Sequence, residues 1–189
     1  VRLPASYCGV YGIRPTHNNV EKIGVLPFAP SFDTIGWFAR DPNVLEKVGN
    51  IVLRRSDPTE PSRLLIASDA FEIVETAIRD AINPYVEQIR HKFTTSSELT
   101  VSVDGLKSWM ECFRTIQGAE IWKSLGPWIT AENPVLGPGI IERISIARKI
   151  TQSQIASAKK EHRLFVDRLK KIMNPGDVLC LPTSPRVAP

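Results

Sequence analysis

The chain has 189 residues, 42% of them hydrophobic, and a formal net charge of +4. This length suffices for one buried core. The basic residues of the chain are interleaved with acidic ones, so the charge gives little support to nucleic-acid binding. No run approaches the roughly 18 apolar residues of a membrane-spanning helix, so we expect no membrane insertion. The three cysteines lie far apart, which fits neither a disulfide framework nor zinc ligands. We therefore expect a reducing, cytoplasmic compartment and no metal site.

The N-terminal region predicts loops followed by a helix. Residues 1–42 are repeatedly interrupted by proline and glycine, which is typical of loops and short strands. Asp41 and Pro42 have the pattern of an N-cap followed by the first helical position. Apolar residues then continue at helical spacing, and we expect this helix to end near Leu53 to Arg55.

The middle of the chain predicts a strand, a helix and a second strand. Asp57 to Ser62 is interpreted as a proline-bearing turn, and the apolar run Leu64 to Ala67 is typical of a strand covered on both faces. From Phe71 to about Phe93, apolar residues recur with a helical period that Pro84 should kink or split. The alternating, β-branched residues Leu99 to Val103 predict the next strand.

The remaining residues predict two helices and a final strand. Gly105 to about Ile129 keeps helical spacing, and Thr130 to Gly139, with two prolines and two glycines, predicts a loop. Ile140 to Met173 has the pattern of one long amphipathic helix whose charged face we interpret as solvated. Val178 to Leu181 is the last short apolar run. Predicted strands and helices thus alternate along the chain, which predicts an α/β fold in which helices flank a mixed central β-sheet.

Several motifs occur in the order found in one enzyme family. They are the runs Arg2 to Gly9, Gly12 to Thr16, Gly24 to Pro27 and Ser31 to Asp41. On these motifs the chain resembles the amidase signature family, most strongly over its first fifty residues. The stretch from Glu120 to Ile140 is similar to one branch of amidases that act on small amides. The resemblance implies an amidase signature fold, of which residues 1–189 would be the middle to C-terminal portion of a single domain, incomplete at both ends.

The resemblance also implies a mechanism. Family members hydrolyse amides with a Ser–cis-Ser–Lys triad, in which the lysine acts as general base, through the bridging serine, on the nucleophilic serine. Val1 to Ala5 matches the part of the signature that follows this nucleophile, so we expect the serine directly before Val1 and no catalytic residue within residues 1–189. The whole protein should convert a small carboxylic amide to an acid and ammonia through an acyl-serine intermediate, without a metal or organic cofactor, whereas this portion alone should be inactive.

The chain itself would supply support and a pocket wall. By the resemblance, Arg2 pairs with an acidic residue of the signature loop that presents the serine; the alternative is an ordinary surface arginine. Pro182 and Thr183 end a strand at the rim of the sheet, where open α/β sheets bind ligands, so they are candidates for the substrate pocket. A plain exit from the strand is equally compatible with these two residues.

Other side-chain combinations have weaker support. Ser6 or Ser31 with His17 and Asp33 would be the residue types of a Ser-His-Asp site, but no Gly-x-Ser-x-Gly elbow presents either serine. Cys8 would lie near the nucleophile, although buried structural cysteines are far commoner than reactive ones. The three histidines are expected to face solvent. Three tryptophans are assigned chiefly to core packing rather than to a site for an aryl substrate: Trp109, Trp122 and Trp128.

Two rival functions stay open at this stage. Some plant import receptors of the chloroplast or mitochondrial outer envelope carry an amidase-like domain without the nucleophile, and nothing from Val1 onward separates such a domain from an enzyme. The second rival is the subunit that releases ammonia to amidate tRNA-bound glutamate. Trp37 argues only mildly against it, because that subunit and many amidases have proline after this glycine. The expected ligand is a small-molecule amide, and the sequence leaves a homodimer open.

Overall fold

The structure is a computed structural model that describes residues 1–54 and 59–189. Within these residues it has seven helices: α1 Arg2–Tyr7, α2 Pro42–Val52, α3 Ser68–Glu72, α4 Thr76–Arg90, α5 Leu106–Glu132, α6 Ile140–Arg148 and α7 Gln152–Ile172. The same residues form five strands: β1 Tyr11–Ile13, β2 Trp37–Ala39, β3 Arg63–Ala67, β4 Thr95–Leu99 and β5 Asp177–Cys180.

The chain divides into two compact units. Unit 1 contains Val1–Pro15, Ile35–Leu106 and Leu169–Pro189. Unit 2 contains Thr16–Thr34 and Lys107–Arg168. The assignment of residues 1–189 to a single amidase-like domain stays a prediction.

Unit 1 is built on a parallel sheet with the strand order β4-β3-β5. In the central strand, Leu64, Leu65, Ile66 and Ala67 are all buried. Because successive side chains of a strand point to opposite faces, β3 is covered on both faces, as its apolar run predicts. Leu64 and Ile66 pack with Val86 of α4 in one apolar cluster. The predicted α/β fold class is therefore confirmed.

Unit 1 also contains the antiparallel pair of β1 and β2, against which α1 packs. Two glycines allow the close approach of α1. A Cβ atom on Gly12 would lie 2.6 Å from the Cβ of Ala5, and one on Gly36 would lie 2.7 Å from the side chain of Val1. Both separations are shorter than a carbon–carbon contact, so any larger residue at these positions would displace α1.

Helix α1 is an element that the sequence did not predict, since only loops and short strands are expected over residues 1–42. Pro4 occupies the third helical position. The first N–H groups of a helix have no intrahelical partner, so a proline in the first turn costs no hydrogen bond. The first α-helical bond here runs from the N–H of Ala5 to the carbonyl of Val1. The predicted short strands are present as β1 and β2.

The predicted start and end of α2 are confirmed. The carboxylate of Asp41 accepts hydrogen bonds from the N–H groups of Asn43 and Val44, at 2.6 and 3.4 Å, and Pro42 is the first helical residue. The helix ends at Val52. Residues 55–58 lie outside the described residues, and they include Arg55 of the predicted helix end and the first two residues of the predicted turn Asp57 to Ser62.

The next helix is not split at Pro84, where the sequence predicts a kink or a split. The chain breaks earlier, between α3 and α4, where the N–H of Glu75 donates to the carbonyl of Pro185 at 3.0 Å. Helix α4 then continues through Pro84 to Arg90. Pro84 and Asp80 are both exposed. Water can therefore donate a hydrogen bond to the Asp80 carbonyl in place of the N–H that Pro84 lacks, and the helix tolerates this proline.

The prediction of a strand at Leu99 to Val103 is also wrong, because β4 lies four residues earlier. The segment Thr95–Leu99 is polar, but it pairs with β3 along its whole length as an edge strand. Polar residues are common on such edges. In the loop that follows, Val101 is buried whereas Val103 is 73% exposed, so the apolar alternation does not mark a strand here.

The C-terminal helices differ from prediction at one point. Helix α5 and the loop after it are confirmed, although α5 continues to Glu132. The single helix expected from Ile140 to Met173 is divided into α6 and α7. Thr151 and Gln154 form a capping box at the break: the Thr151 N–H donates to Gln154 Oε1 at 2.8 Å, and the Gln154 N–H donates to Thr151 Oγ1 at 3.3 Å. The final strand, β5, begins one residue before its predicted start.

Six charged residues of α7 that the sequence assigns to a solvated face are exposed, as predicted. They are Lys159, Lys160, Glu161, Arg163, Asp167 and Lys170. Among residues 1–54 and 59–189, no helix has the length and apolar character needed to cross a membrane.

One ion pair joins β3 to β5 at the start of both strands. The Nε and Nη2 atoms of Arg63 donate to the two carboxylate oxygens of Asp177, at 3.0 and 2.5 Å. The N–H of Asn174 donates to the same carboxylate at 2.7 Å, and the Asp177 side chain is only 3% exposed. The hydrogen bonds from Arg63 and then from Asn174 lower the pKa of Asp177 below its ordinary value.

The lowered pKa of Asp177 predicts an acid-sensitive contribution to stability. A carboxyl group with a depressed folded-state pKa stabilises the protein fully above its unfolded pKa of about 3.9, and the contribution disappears as the pH falls through the folded-state value. The substitution Asp177→Asn should therefore lower the urea midpoint at pH 7 and reduce the loss of stability below about pH 4. Asp80→Asn, at an exposed helical position, is the matched control. Parallel pH profiles for the two variants would contradict the assignment.

The close approach of α1 to β1 predicts a large effect of one methyl group. Gly12→Ala should lower the free energy of unfolding by about 1–3 kcal/mol, because its Cβ would collide with the backbone-anchored Cβ of Ala5. Gly137→Ala is the control, since no atom lies within 4 Å of its added Cβ. Urea unfolding of both variants measures the difference, and equal midpoints would show that α1 does not pack as described.

Candidate functional site at the carboxyl edge of the parallel sheet

The carboxyl ends of β3, β4 and β5 meet at one edge of the sheet, because the three strands are parallel. Open α/β sheets bind their ligands outside this edge. Three segments leave the sheet there: α3 after β3, residues 100–105 after β4, and residues 181–186 after β5. The hydrogen bonds between these segments define the shape of the edge.

Asp69 connects the first two segments. Its carboxylate accepts hydrogen bonds from the N–H groups of Val101 and Ser102, at 3.0 and 2.8 Å. Both of these residues are buried, so Asp69 satisfies donors that water cannot reach. The hydroxyl of Ser68 also donates to the carbonyl of Leu99 at 3.0 Å. The start of α3 thus fixes the loop that follows β4.

The segment after β5 is attached to the turn between α3 and α4. The Glu75 N–H donates to the Pro185 carbonyl at 3.0 Å, and the Glu75 carboxylate pairs with Arg186 Nε at 3.1 Å. This ion pair is exposed, so the backbone hydrogen bond is the more dependable link. Within the segment, the Ser184 hydroxyl donates to the Arg186 carbonyl at 2.8 Å.

Helix α1 reaches the same edge through Tyr7. The Tyr7 hydroxyl lies 3.2 Å from Ser184 Oγ. The single proton of Ser184 is directed to the carbonyl of Arg186, so the Tyr7 hydroxyl is the donor to Ser184. The C-terminal end of α1 therefore lies beside the segment that follows β5. Arg2 is at the opposite end of α1, about 7.5 Å away along the helix axis.

Of the three residues expected to serve the site, two lie at this edge and the third lies at the far end of α1. Pro182 is half-buried and Thr183 is exposed, and both follow the carboxyl end of β5, as the strand prediction requires. Arg2 is exposed at the first position of α1. Its side chain makes no hydrogen bond or ion pair with residues 1–54 or 59–189. The roles assigned to these three residues stay predictions.

Sequence reasoning missed Tyr7, Asp69 and Ser184 at this edge. Asp69 had a local signal, because a polar residue directly after a buried apolar strand lies at the carboxyl edge of a sheet. Tyr7 and Ser184 are 177 positions apart, so no local pattern predicts their contact.

The Ser-His-Asp combination considered from the sequence does not form. Ser31 donates to the carboxylate of Glu120 from its N–H and its hydroxyl, and His17 Nε2 lies 2.8 Å from the carbonyl oxygen of Pro30. The Asp33 carboxylate instead accepts N–H groups of its own loop, at 2.9 and 3.0 Å. All three histidines are exposed, as expected.

The cysteines differ in exposure, and the expectation that Cys8 is buried is wrong. Cys8 is exposed because it caps the C-terminus of α1, at the surface of that short helix. Burial raises the pKa of the Cys112 and Cys180 thiols, which disfavours their nucleophilic thiolate forms. Within the described part of the chain, no three His, Cys, Asp or Glu side chains are grouped as metal ligands.

The three tryptophans of α5 have different surroundings. Trp109 stacks on Phe165, with ring centroids 4.9 Å apart, and Arg148 lies 5.6 Å from the ring centroid of Trp122. Trp128 is 51% exposed, so its assignment to the core is wrong. The helical period places it on a surface that the other two residues do not share.

Comparisons with known proteins give a consistent result. A sequence model described as Amidase matches residues 1–111, which is more than half of the chain. The whole chain is 31% identical to Amidase 1 of Arabidopsis thaliana and covers 52% of that protein. It is 26% identical to the chloroplastic Outer envelope protein 64 of Arabidopsis thaliana and covers 37% of it. The chain thus spans between about a third and a half of these relatives.

A similarity of fold extends over the entire chain. The crystal structure of an amidase superposes on 100% of this chain with a TM-score of 0.86 and 21% sequence identity, and the aligned part is 44% of that chain. At this level of identity the match shows the fold alone.

The two hydrogen bonds of Asp69 predict that the loop after β4 depends on one carboxylate. Asp69→Ala should lower the free energy of unfolding by at least about 2 kcal/mol, because it leaves two buried N–H donors without a partner. Asp104→Ala removes an exposed carboxylate from the same region and is the control. Amide hydrogen exchange localises the effect: exchange should accelerate at Val101 and Ser102 in the first variant only. Unchanged protection there would contradict the described contacts.

Proposed function

The chain belongs to the amidase signature family, and from this premise we propose that the whole protein hydrolyses a small carboxylic amide to an acid and ammonia through an acyl-serine intermediate. The observation that carries this proposal is the similarity to Amidase 1 along the entire chain. The family match over residues 1–111 adds support, because it contains α1 and two of the three strands that form the carboxyl edge.

The packing of α1 supports its proposed role as the rigid element that carries the nucleophile. In the proposal the nucleophilic serine directly precedes Val1, so it would stand at the N-terminal end of α1. Gly12 and Gly36 let α1 pack tightly, and Tyr7 ties its other end to the segment after β5. A serine at that position would be held on a rigid element, which hydrolysis requires because its hydroxyl must stay aligned with its base.

The remaining parts of the proposed site are the oxyanion donors, the support of the signature loop and the pocket wall. Backbone N–H groups of the glycine-rich signature loop would stabilise the oxyanion that forms on the substrate carbonyl. Arg2 would hold this loop through an ion pair with one of its acidic residues. Pro182 and Thr183 would form part of the pocket wall for a small aliphatic or arylacetic amide.

Hydrolysis is tested on the purified full-length protein. Ammonia release is measured from propanamide and phenylacetamide, and hydroxylamine is added to intercept the acyl-enzyme as a hydroxamate. The proposal predicts that at least one of these amides is hydrolysed with release of ammonia. It also predicts that hydroxamate forms only when such an amide is present. Absence of both ammonia and hydroxamate with every amide would contradict an enzymatic function.

The supporting role of Arg2 predicts a kinetic defect without loss of the fold. Arg2→Gln should lower kcat about tenfold to a hundredfold, because displacement of the loop misaligns the nucleophile. Arg40→Gln, which removes an exposed arginine outside the proposed site, should leave kcat unchanged. Melting temperatures of both variants should match that of the unaltered protein. Equal kcat values would identify Arg2 as an ordinary surface residue.

A second candidate function is supported by the similarity to Outer envelope protein 64. In this alternative the chain is a non-catalytic amidase-like domain of an import receptor at an organelle outer envelope. The two candidates differ in location, because the proposed enzyme is cytoplasmic and the receptor would fractionate with organelle membranes. Cell fractionation with an antibody to the protein separates them, and recovery in the membrane fraction without amidase activity would favour the receptor.

A further inference from the structure

A cavity of about 210 Å³ lies in unit 2, between the loop that contains Ser31 and the helix α7. It is lined by Ser31, Phe32, Ile116, Lys159, His162 and Arg163. Cavities for drug-sized ligands measure about 300–1,000 Å³, so this one suits a smaller molecule.

The helical wall of this cavity is cationic. Lys159, His162 and Arg163 are spaced three and four residues apart, so they share one face of α7. All three are exposed, and none forms an ion pair with residues 1–54 or 59–189. Asp167 follows Arg163 by four residues but does not pair with it. Glu161 accepts a hydrogen bond from Ser157, on the opposite side of the helix.

The facing wall is apolar and fixed in place. Ile116 is 4% exposed and belongs to the core cluster of unit 2. The Phe32 ring packs edge-on against Phe113, with centroids 4.8 Å apart, and the His162 ring lies 6.4 Å from it. A ligand here would therefore meet positive charge on one side and a preformed apolar surface on the other.

The loop that carries Phe32 is held by Glu120. One oxygen of its carboxylate accepts the Ser31 N–H at 2.9 Å, and the other accepts the Ser31 hydroxyl at 2.5 Å. Glu120 therefore fixes the loop that carries Phe32, and among the described residues it forms no ion pair with Lys159 or Arg163.

We propose that this cavity binds a small organic carboxylate, with its charged group between Lys159 and Arg163 and its apolar body against Phe32 and Ile116. A planar guanidinium suits a carboxylate because it can donate two parallel hydrogen bonds. Inorganic phosphate would satisfy the charges but would leave the apolar wall in contact with water. None of the lining residues is assigned to hydrolysis, so this binding would stand whether or not the protein is an enzyme.

The first test locates binding on the unaltered full-length protein, with benzoate as the probe. Acetic anhydride acetylates exposed lysines, and mass spectrometry of peptides follows each site. Benzoate should slow acetylation of Lys159 several-fold while the adjacent Lys160 reacts at its original rate. Acetophenone, a neutral molecule of similar shape, should protect neither lysine. Equal rates at Lys159 with and without benzoate would overturn the proposal.

The second test measures affinity by titration calorimetry. The double variant Lys159→Gln with Arg163→Gln should weaken benzoate binding at least about tenfold, a loss that should shrink as added salt screens the charges. Lys160→Gln with Lys170→Gln removes the same net charge from α7 and should leave the affinity unchanged. Equal affinities for the two double variants would overturn the proposal, as would phosphate binding as tightly as benzoate.

Discussion

Burial of strand β3 on both faces is the constraint on which the rest of unit 1 depends. Leu64 and Leu65 point to opposite sides of the sheet and both are excluded from water. Each side therefore needs covering elements, and the neighbouring strands and loops are fixed against β3 near both of its ends. At the start of the strand, Arg63 binds Asp177 of β5. Just beyond its end, Asp69 holds the loop after β4.

This arrangement produces the edge on which the functional proposal rests. The carboxyl ends of three strands lie together, and each following segment is hydrogen-bonded to a neighbour. Helix α1 joins them through Tyr7 and Ser184, although these residues are far apart in the sequence. A nucleophile at the start of α1 would thus be supported by contacts from both ends of the chain.

The sequence predicts those elements whose signals are local. An unbroken apolar run identifies β3, and Asp41 with Pro42 marks the start of α2. Strand β4 escapes prediction because an edge strand can be polar, so its pairing with β3 determines it. The break between α6 and α7 was predictable from Thr151 and Gln154, since a capping box is a local pattern, but the continuous amphipathic period concealed it.

The residues of the candidate site also differ in whether the sequence alone predicts them. Arg2 comes from the family resemblance, and Pro182 and Thr183 come from the exit of a predicted strand. The contact of Tyr7 with Ser184 depends on the folded chain. The cavity in unit 2 also depends on the folded chain. From the sequence, the charged residues of α7 have the pattern of a solvated face. The position of Phe32 opposite Lys159 and Arg163 is what supports the proposed binding of a carboxylate.

The residue that directly precedes Val1 in the coding sequence decides most directly whether the protein is an amidase. If the account is correct, this residue is a serine that ends a glycine-rich signature, with a second serine and a lysine further upstream. The hydroxyl would then stand at the start of α1, the helix whose other end contacts the segment after β5 through Tyr7. Any other residue at that position would contradict an acyl-serine mechanism and would favour the non-catalytic receptor domain.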